Sequence, residues 1–415
     1  MNTGKFIGST MILVGSIIGA GMLALPTVSA AAGFTWSTML MVVLWLASTI
    51  SGLLILEVNL ALPIHACTFN SMAKQTLGNF GKVVTWLSYL FLLYAIITAY
   101  VIGASNVTAS NIAPILHVDI PAWVSPTLFT VIFGAAVFWS TEAVDYFNRI
   151  LLSLKGLLLI ATLIFIVPHI DVSKLFSTQD ISQIKYLWLA SPAYLCAFCY
   201  HFVIPSVRIY IGDKPRQLRM IIIIGTTISL LIYLWWLAGS LGTVPLLGDH
   251  GFVSIVNDPK PPSLLVGAIA FFANNRLITA SIQGFANIAL TSSFLCVALG
   301  LFDFLADGFR RSNTRFGRLQ TACLAFIPPL LITLFYPQGF IVAINYASIP
   351  VAVLSLMLPA VMVYRLRKNK EFKSTYQVKC GNIVIALIFL IGAVSIVLAI
   401  MEILHLLPSL KQSVL

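Results

Sequence analysis

The chain has 415 residues, 59% of them apolar, and carries 24 basic and 13 acidic side chains, so 37 are charged, or 9%, against about 25% in an ordinary soluble domain. A mean hydropathy of +0.99 over this length excludes a water-soluble globular fold, and disorder and collagen-like repeats with it; the bilayer is the solvent for most of the surface. The surplus of eleven positive charges is tested first against the bias of cytoplasmic loops toward Lys and Arg, before any nucleic-acid partner.

A window of about 20 residues predicts eleven membrane helices, at 6–31, 34–62, 83–112, 121–140, 145–168, 186–211, 219–247, 280–307, 317–336, 338–364 and 380–407. The runs are continuously apolar rather than alternating, which excludes a strand barrel. The N-terminal segment, with Lys5 and no small-residue cleavage site, reads as a retained first helix.

Span 1 contains Gly15-Ser16-Ile17-Ile18-Gly19-Ala20-Gly21-Met22-Leu23-Ala24-Leu25-Pro26. Three glycines and a proline at membrane depth predict unwinding. Backbone groups freed there must be satisfied by protein, water or ligand, which points to a cavity; a Gly15-x-x-x-Gly19 packing face is the alternative. Gly19-x-Gly21-x-x-Ala24 mimics a dinucleotide fingerprint but follows no strand. Span 5 places Lys155 about ten residues inside, in Leu154-Lys155-Gly156. Span 6 contains Ala197-Phe198-Cys199-Tyr200-His201-Phe202-Val203-Ile204-Pro205-Ser206, with an imidazole and a proline near mid-depth. The outer connection 248–279 holds an amphipathic stretch, Leu264 to Phe272, readable as a gate over the outer mouth or as a passive interfacial helix. On span 8, Asp303 and Asp307 lie one turn apart with Arg310 and Arg311 close behind, suited to inner-gate salt bridges or to a plain solvated face. Cys67, Cys196, Cys199, Cys296, Cys323 and Cys380 imply no disulfide framework, and the single Cys196-x-x-Cys199 lacks the second pair a metal site needs.

With the N-terminus inside, 19 basic residues fall on the cytoplasmic side and only Lys174, Lys185, Lys260, Arg276 and Lys411 outside. The positive-inside rule then accounts for the basic balance without nucleic acid, leaving some attraction to anionic inner-leaflet lipid near Arg365 to Lys373. The expected location is a bacterial inner membrane, multi-pass, with the C-terminus periplasmic.

The starts of spans 1 to 5 recur at spans 6 to 10 with offsets of about 180 to 197 residues. The chain therefore reads as two five-helix halves, 1–168 and 186–364, plus a last helix, 380–407. Five is odd, so the second half enters from the opposite side and the repeats are inverted. Broken helices at the first position of each inverted half point to a secondary transporter with its substrate at the midplane.

The glycine run of span 1, Leu56-Glu57-Val58 of span 2, and Ser292-Ser293-Phe294-Leu295-Cys296-Val297-Ala298-Leu299-Gly300-Leu301-Phe302-Asp303-Phe304-Leu305-Ala306-Asp307 of span 8 resemble the bacterial hydroxy/aromatic amino acid permeases, which include tyrosine-specific and tryptophan-specific proton symporters. The resemblance covers essentially the whole chain. It implies an all-α integral membrane fold of the LeuT type: a five-plus-five inverted repeat plus one C-terminal helix, spans 1 and 6 broken, with an amino acid bound between spans 1, 3, 6 and 8.

The substrate carboxylate would then suit free N–H groups at Ala20, Gly21 and Met22 through hydrogen bonds and the helix dipole. Its ammonium would face carbonyls around Ser16 to Gly19 and Ala197 to Phe198. An aromatic side chain needs apolar walls and ring faces, for which Phe198, Tyr200 and Phe202 on span 6, Thr98 and Tyr100 on span 3 and Phe285 on span 8 are candidates. Where the family tends to carry glycines, near Cys199 and Phe202, bulkier residues stand here, so tyrosine versus tryptophan stays open. In sodium-independent relatives of this fold a lysine near the position of Lys155 replaces a sodium ion between spans 1 and 8. The resemblance assigns Lys155 that role, with acceptors at the span 1 break and at Thr291, Ser292 or Ser293; burial would favour the neutral amine and make it a proton-coupling candidate. Snorkelling to the cytoplasmic interface is the alternative. Glu57 is expected to accept hydrogen bonds from the unwound backbone of span 6, with proton carriage as the lesser reading. His201 is expected to line the pocket or cap broken backbone ahead of titrating.

These readings converge on a proton-driven importer of tyrosine or tryptophan that needs no cofactor or metal, with the amino acid, protons and membrane lipid as its partners. A sodium-coupled carrier is the nearest alternative, disfavoured because Lys155 would repel the cation. An intramembrane enzyme would need clustered His or paired carboxylates at one depth, and a channel a polar or charged ring. The sequence offers neither.

Overall fold

The computed structural model describes residues 3–64, 68–116, 121–139, 141–176, 181–258, 261–309, 314–369 and 376–408. Among them the chain is helical throughout, as a bilayer requires of any segment that cannot hydrogen-bond to solvent. In chain order, α1 (Thr3–Ile17), a 3-10 turn (Ala20–Ala24) and α2 (Leu25–Ser29) form the first broken unit, followed by α3 (Gly33–Ala61), α4 (Phe69–Leu116), α5 (Val124–Trp139), α6 (Thr141–Ile166) and a short α7 (Val172–Leu175). The second broken unit is α8 (Leu187–Ala197), a 3-10 turn (His201–Val203) and α9 (Ile204–Ile211). Then come α10 (Pro215–Thr243), α11 (Phe252–Asn257), α12 (Pro261–Ala273), α13 (Arg276–Gly308), α14 (Arg315–Phe335), α15 (Phe340–Ala352), a π turn (Val353–Met357), α16 (Leu358–Lys368) and α17 (Asn382–Ile403).

Nine of the described helices are long and apolar enough to cross a bilayer, ten if the pieces flanking the first break, bent by 45°, count as one. The shortfall against eleven lies at α5. Its 16 residues rise about 24 Å at 1.5 Å each, less than the ~30 Å of a hydrocarbon core. Span 3 differs in the other direction: α4 begins at Phe69 rather than 83, and Gly78 turns the chain at φ 72, ψ −158 between its two pieces. Only glycine takes that conformation without a steric penalty.

The most extensive packing joins α6 to α13 and α4 to α15, and α13 also packs on α4. On the other side α10 lies against both α1 and α3, and α3 against α8. Two sequence features explain local detail. Pro359 has no N–H to give the Ser355 carbonyl one turn back, and the Ser51 hydroxyl of α3 donates to that carbonyl instead. Arg208, 2% exposed, closes the end of α3 by donating to the carbonyls of Asn59 and Leu62, and its Nε donates to Asp213 at 2.6 Å. That hydrogen bond holds the Asp213 carboxyl below the usual carboxylate range. The predicted amphipathic stretch of the outer connection is α12, which packs on α13, α4 and the first 3-10 turn. Asp303 and Asp307 are exposed. Lys260, Arg310, Arg311, Lys370, Lys373, Lys411 and Cys67 lie outside the described residues.

Candidate functional site

At the first break, α1 ends at Ile17, Gly19 is extended (φ −119, ψ −168) and the 3-10 turn begins at Ala20. Unwinding loosens the carbonyl pairing here: Ile17 and Met22 accept the N–H groups of Gly19 and Leu25, and side chains from elsewhere reach the same stretch. Tyr233 of α10 donates its hydroxyl to Ile17 at 2.6 Å, Lys155 of α6 its Nζ to Ile18 at 2.8 Å, and Trp236 its Nε1 to Met22 at 2.9 Å. The Met22 N–H, expected to be free for a carboxylate, itself donates to the Gly19 carbonyl at 3.3 Å. A Cβ at Gly19 would sit 3.4 Å from Ser293 Oγ and 3.6 Å from Tyr100 Oη, whereas one at Gly15 or Gly21 would meet nothing within 4 Å. Gly15 and Gly21 therefore face open space, which favours the cavity reading over a close-packed glycine seam at Gly15.

At the second break, α8 ends at Ala197 and the chain is irregular to His201. The Tyr233 hydroxyl lies 3.1 Å from the Ala197 carbonyl as well, so one phenol stands between the two breaks. Ser48 of α3 donates to the Phe198 carbonyl at 2.9 Å, and Tyr200 donates back to the Ser48 carbonyl at 3.1 Å. Phe198 packs edge-on against Tyr233, ring centroids 5.4 Å apart. His201 is buried and stacked on Tyr200 at 4.6 Å. Its ring lies near the Ser48 carbonyl, already engaged by Tyr200, and neither ring nitrogen makes a hydrogen bond among the described residues.

The structure thus brings Gly19, Tyr100 and Ser293 together from spans 1, 3 and 8, and sets Lys155 beside them on the Ile18 carbonyl. The lysine is 5% exposed, so it does not snorkel. Its described hydrogen bond goes to the break alone; Ser292 turns its hydroxyl to Ala289 at 3.3 Å within its own helix, and neither Thr291 nor Ser293 bonds the ammonium. Phe198 and Phe285 are fully buried, Ser16 bonds Leu13 and Thr98 bonds Tyr94 within their own helices, and Phe202 is 43% exposed. Tyr200 faces Gly52 of α3, where any Cβ would overlap its hydroxyl.

Glu57 departs from expectation. Both its carboxylate oxygens accept from Arg367 at 2.7 Å, and Oε2 also accepts the Val378 N–H at 2.8 Å. Among the described residues these partners lie on α16 and the segment before α17, not on the unwound span 6. The pairing spans 310 residues, beyond any local sequence signal. Tyr233, Trp236 and Ser48 were also missed. The available hint was Tyr233-Leu234-Trp235-Trp236, which puts two polar-tipped rings three residues apart, on one helix face at mid-span, where each tip needs a partner. No group of three or more His, Cys, Asp or Glu among the described residues could hold a metal.

The model of the tryptophan/tyrosine permease family matches residues 2–399. Similar proteins include the tryptophan-specific transport protein of Pseudomonas aeruginosa, 33% identical over 409 residues that cover 98% of this chain and 97% of that protein. The tyrosine-specific transport system 1 of Haemophilus influenzae is 33% identical over 389 residues, 94% of each chain. The low affinity tryptophan permease of Escherichia coli K12 is 31% identical over 390 residues, 92% of each. These are transport proteins rather than enzymes, and with the apolar helices they make this a multi-pass bacterial membrane protein. The chain belongs to the tryptophan/tyrosine permease family.

Proposed function

We propose that this chain is a proton-coupled symporter importing tryptophan or tyrosine, built as eleven spans in a LeuT-type inverted repeat with the N-terminus cytoplasmic. The packing supports the repeat. Under a five-span offset the pairing of spans 5 and 8 maps onto that of 10 and 3, and these are the α6–α13 and α15–α4 contacts. Likewise the contact of α1 with α10 maps onto that of α8 with α3. The names of the similar permeases support the substrate class.

The observation that carries the coupling is the buried Lys155 ammonium on the Ile18 carbonyl. A fixed cation at the break excludes a metal cation by repulsion and supplies positive charge that a proton can add or remove. The substrate lies against Gly19 and Gly21, its carboxylate on the N–H groups of Ala20 and Gly21 and its ring among Tyr100, Phe198 and Phe285. His201 supplies polar capacity from span 6, and Ser293 with Tyr100 borders the break at Gly19, next to the carbonyl that Lys155 holds. Glu57 anchors the inner face. In reconstituted vesicles, labelled tryptophan or tyrosine is taken up faster with an inward proton gradient, and Lys155→Gln abolishes that stimulation. Stimulation by sodium in place of protons would overturn the coupling.

A further inference from the structure

Away from the two breaks, a cleft of about 520 Å³ opens between α4, the π turn with α16, and α17. Its floor is a stripe at a spacing of four residues, Met357, Val361 and Arg365, which share one helix face. Phe80 and Val84 of α4 wall one side and Phe389 of α17 the other. Gly392 lets α17 come close to the π turn, where a Cβ would sit 2.8 Å from Met357 Cγ. One turn earlier, at Phe389, α17 borders the cleft instead of filling it. Among the described residues of the lining Arg365 alone is charged, at the end nearest the helix terminus, and the others are almost wholly apolar.

The two neighbouring arginines differ in what they have left to bind. Arg367 is committed to Glu57 and to the carbonyls of Val378 and Cys380. Arg365 is exposed, and no acidic side chain pairs with it among the described residues. Lys368 stands beside it, its ammonium 4.4 Å from the Tyr364 ring. A guanidinium at one end of an apolar trough matches an amphiphile with an anionic head: the planar fork takes two phosphate oxygens, and the trough takes an acyl chain. Inorganic phosphate would satisfy the fork and leave the apolar walls empty.

We propose that this cleft is a binding site for an anionic phospholipid, with the phosphodiester on Arg365 and an acyl chain along Val361 and Met357 between Phe80 and Phe389. The site stands apart from the transport reading, because its test counts bound lipid. Full-length protein in mild detergent is equilibrated with equimolar phosphatidylglycerol and phosphatidylcholine, and retained lipids are counted by native mass spectrometry. Phosphatidylglycerol is expected to be retained about tenfold over phosphatidylcholine, whose phosphodiester offers the same oxygens but brings its own cation to the guanidinium. Arg365→Gln, at an exposed position that does not endanger folding, brings the ratio near one. Val361→Trp, which fills the trough, lowers retention of both lipids, and excess inorganic phosphate displaces neither. Equal retention by the unaltered protein, an unchanged preference in Arg365→Gln, or full displacement by inorganic phosphate would overturn the proposal.

Discussion

Two cations hydrogen-bonded inside this protein, a partly buried arginine and a buried lysine, sit in opposite circumstances. Arg367, at the end of α16, meets a carboxylate that is itself 1% exposed, with two parallel hydrogen bonds, and the carbonyls of Val378 and Cys380 take two more of its donors. Lys155, beside the first break, has a neutral carbonyl as its described hydrogen-bond partner. A buried charge matched by an opposite charge is locked, because losing either member strands the other. A buried charge held by a dipole alone has its desolvation only partly offset and is open to exchange. Both Glu57 and Lys155 are ionisable groups in apolar helices and so functional candidates by sequence, Lys155 the stronger of the two. In the structure Glu57 is paired with a cation and Lys155 is held by a carbonyl.

The largest effect tests the pair of Arg367 with Glu57. Arg367→Met leaves the Glu57 carboxylate buried without its cation and is expected to cost about 3–5 kcal/mol, read as a lowered thermal midpoint in detergent. Adding Glu57→Gln to that variant recovers much of the loss, and Arg367→Lys, which lacks the fork, recovers little. Next is Tyr233→Phe. It removes the donor facing the carbonyls of Ile17 and Ala197 and is expected to cost about 1–3 kcal/mol, with no charge involved. Third, Lys155→Gln keeps a donor for Ile18 and removes the charge, so stability shifts by no more than about 1 kcal/mol while gradient-driven uptake is lost. Equal destabilisation by Lys155→Gln and Arg367→Met would erase the distinction between the two cations. The smallest effect concerns a further buried cation, Arg208, whose partner Asp213 is 60% exposed. Because Arg208 holds the Asp213 carboxyl below its unfolded value, its contribution is present above that value and lost as pH falls through the folded one. Solvent limits it to less than about 1 kcal/mol. Melting curves of Asp213→Asn should lack this acid-side step.

Much of the fold could be read from composition, because a bilayer permits few solutions to a long apolar run. Both breaks were legible for the same reason: glycine or histidine with proline at membrane depth recurs at the first position of each five-helix half, where a glycine packing face alone would not put it. Lys155 was legible as a charge where none belongs. Register was not legible. Nothing near Glu57 announces Arg367, nothing near Ser48 announces the Phe198 carbonyl, and the π turn between Pro350 and Pro359 depends on which α3 hydroxyl arrives opposite Ser355. Such pairings are fixed by how helices slide against one another, a property of the whole bundle. The early start of α4 escaped notice because Lys74 and Lys82 dilute the apolar signal around Gly78.

The hydroxyl of Tyr233 has one proton and two carbonyls to serve, one from each broken helix. Whatever draws the Ile17 carbonyl away leaves that proton to Ala197, and the reverse holds. The two breaks therefore share a free energy. Linkage then requires that a ligand at the first break change the second as much as a ligand at the second changes the first. A molecule touching only one of them would be felt at both, and Tyr233→Phe should weaken the mutual dependence of substrate and driving-ion affinities even where each site alone still binds.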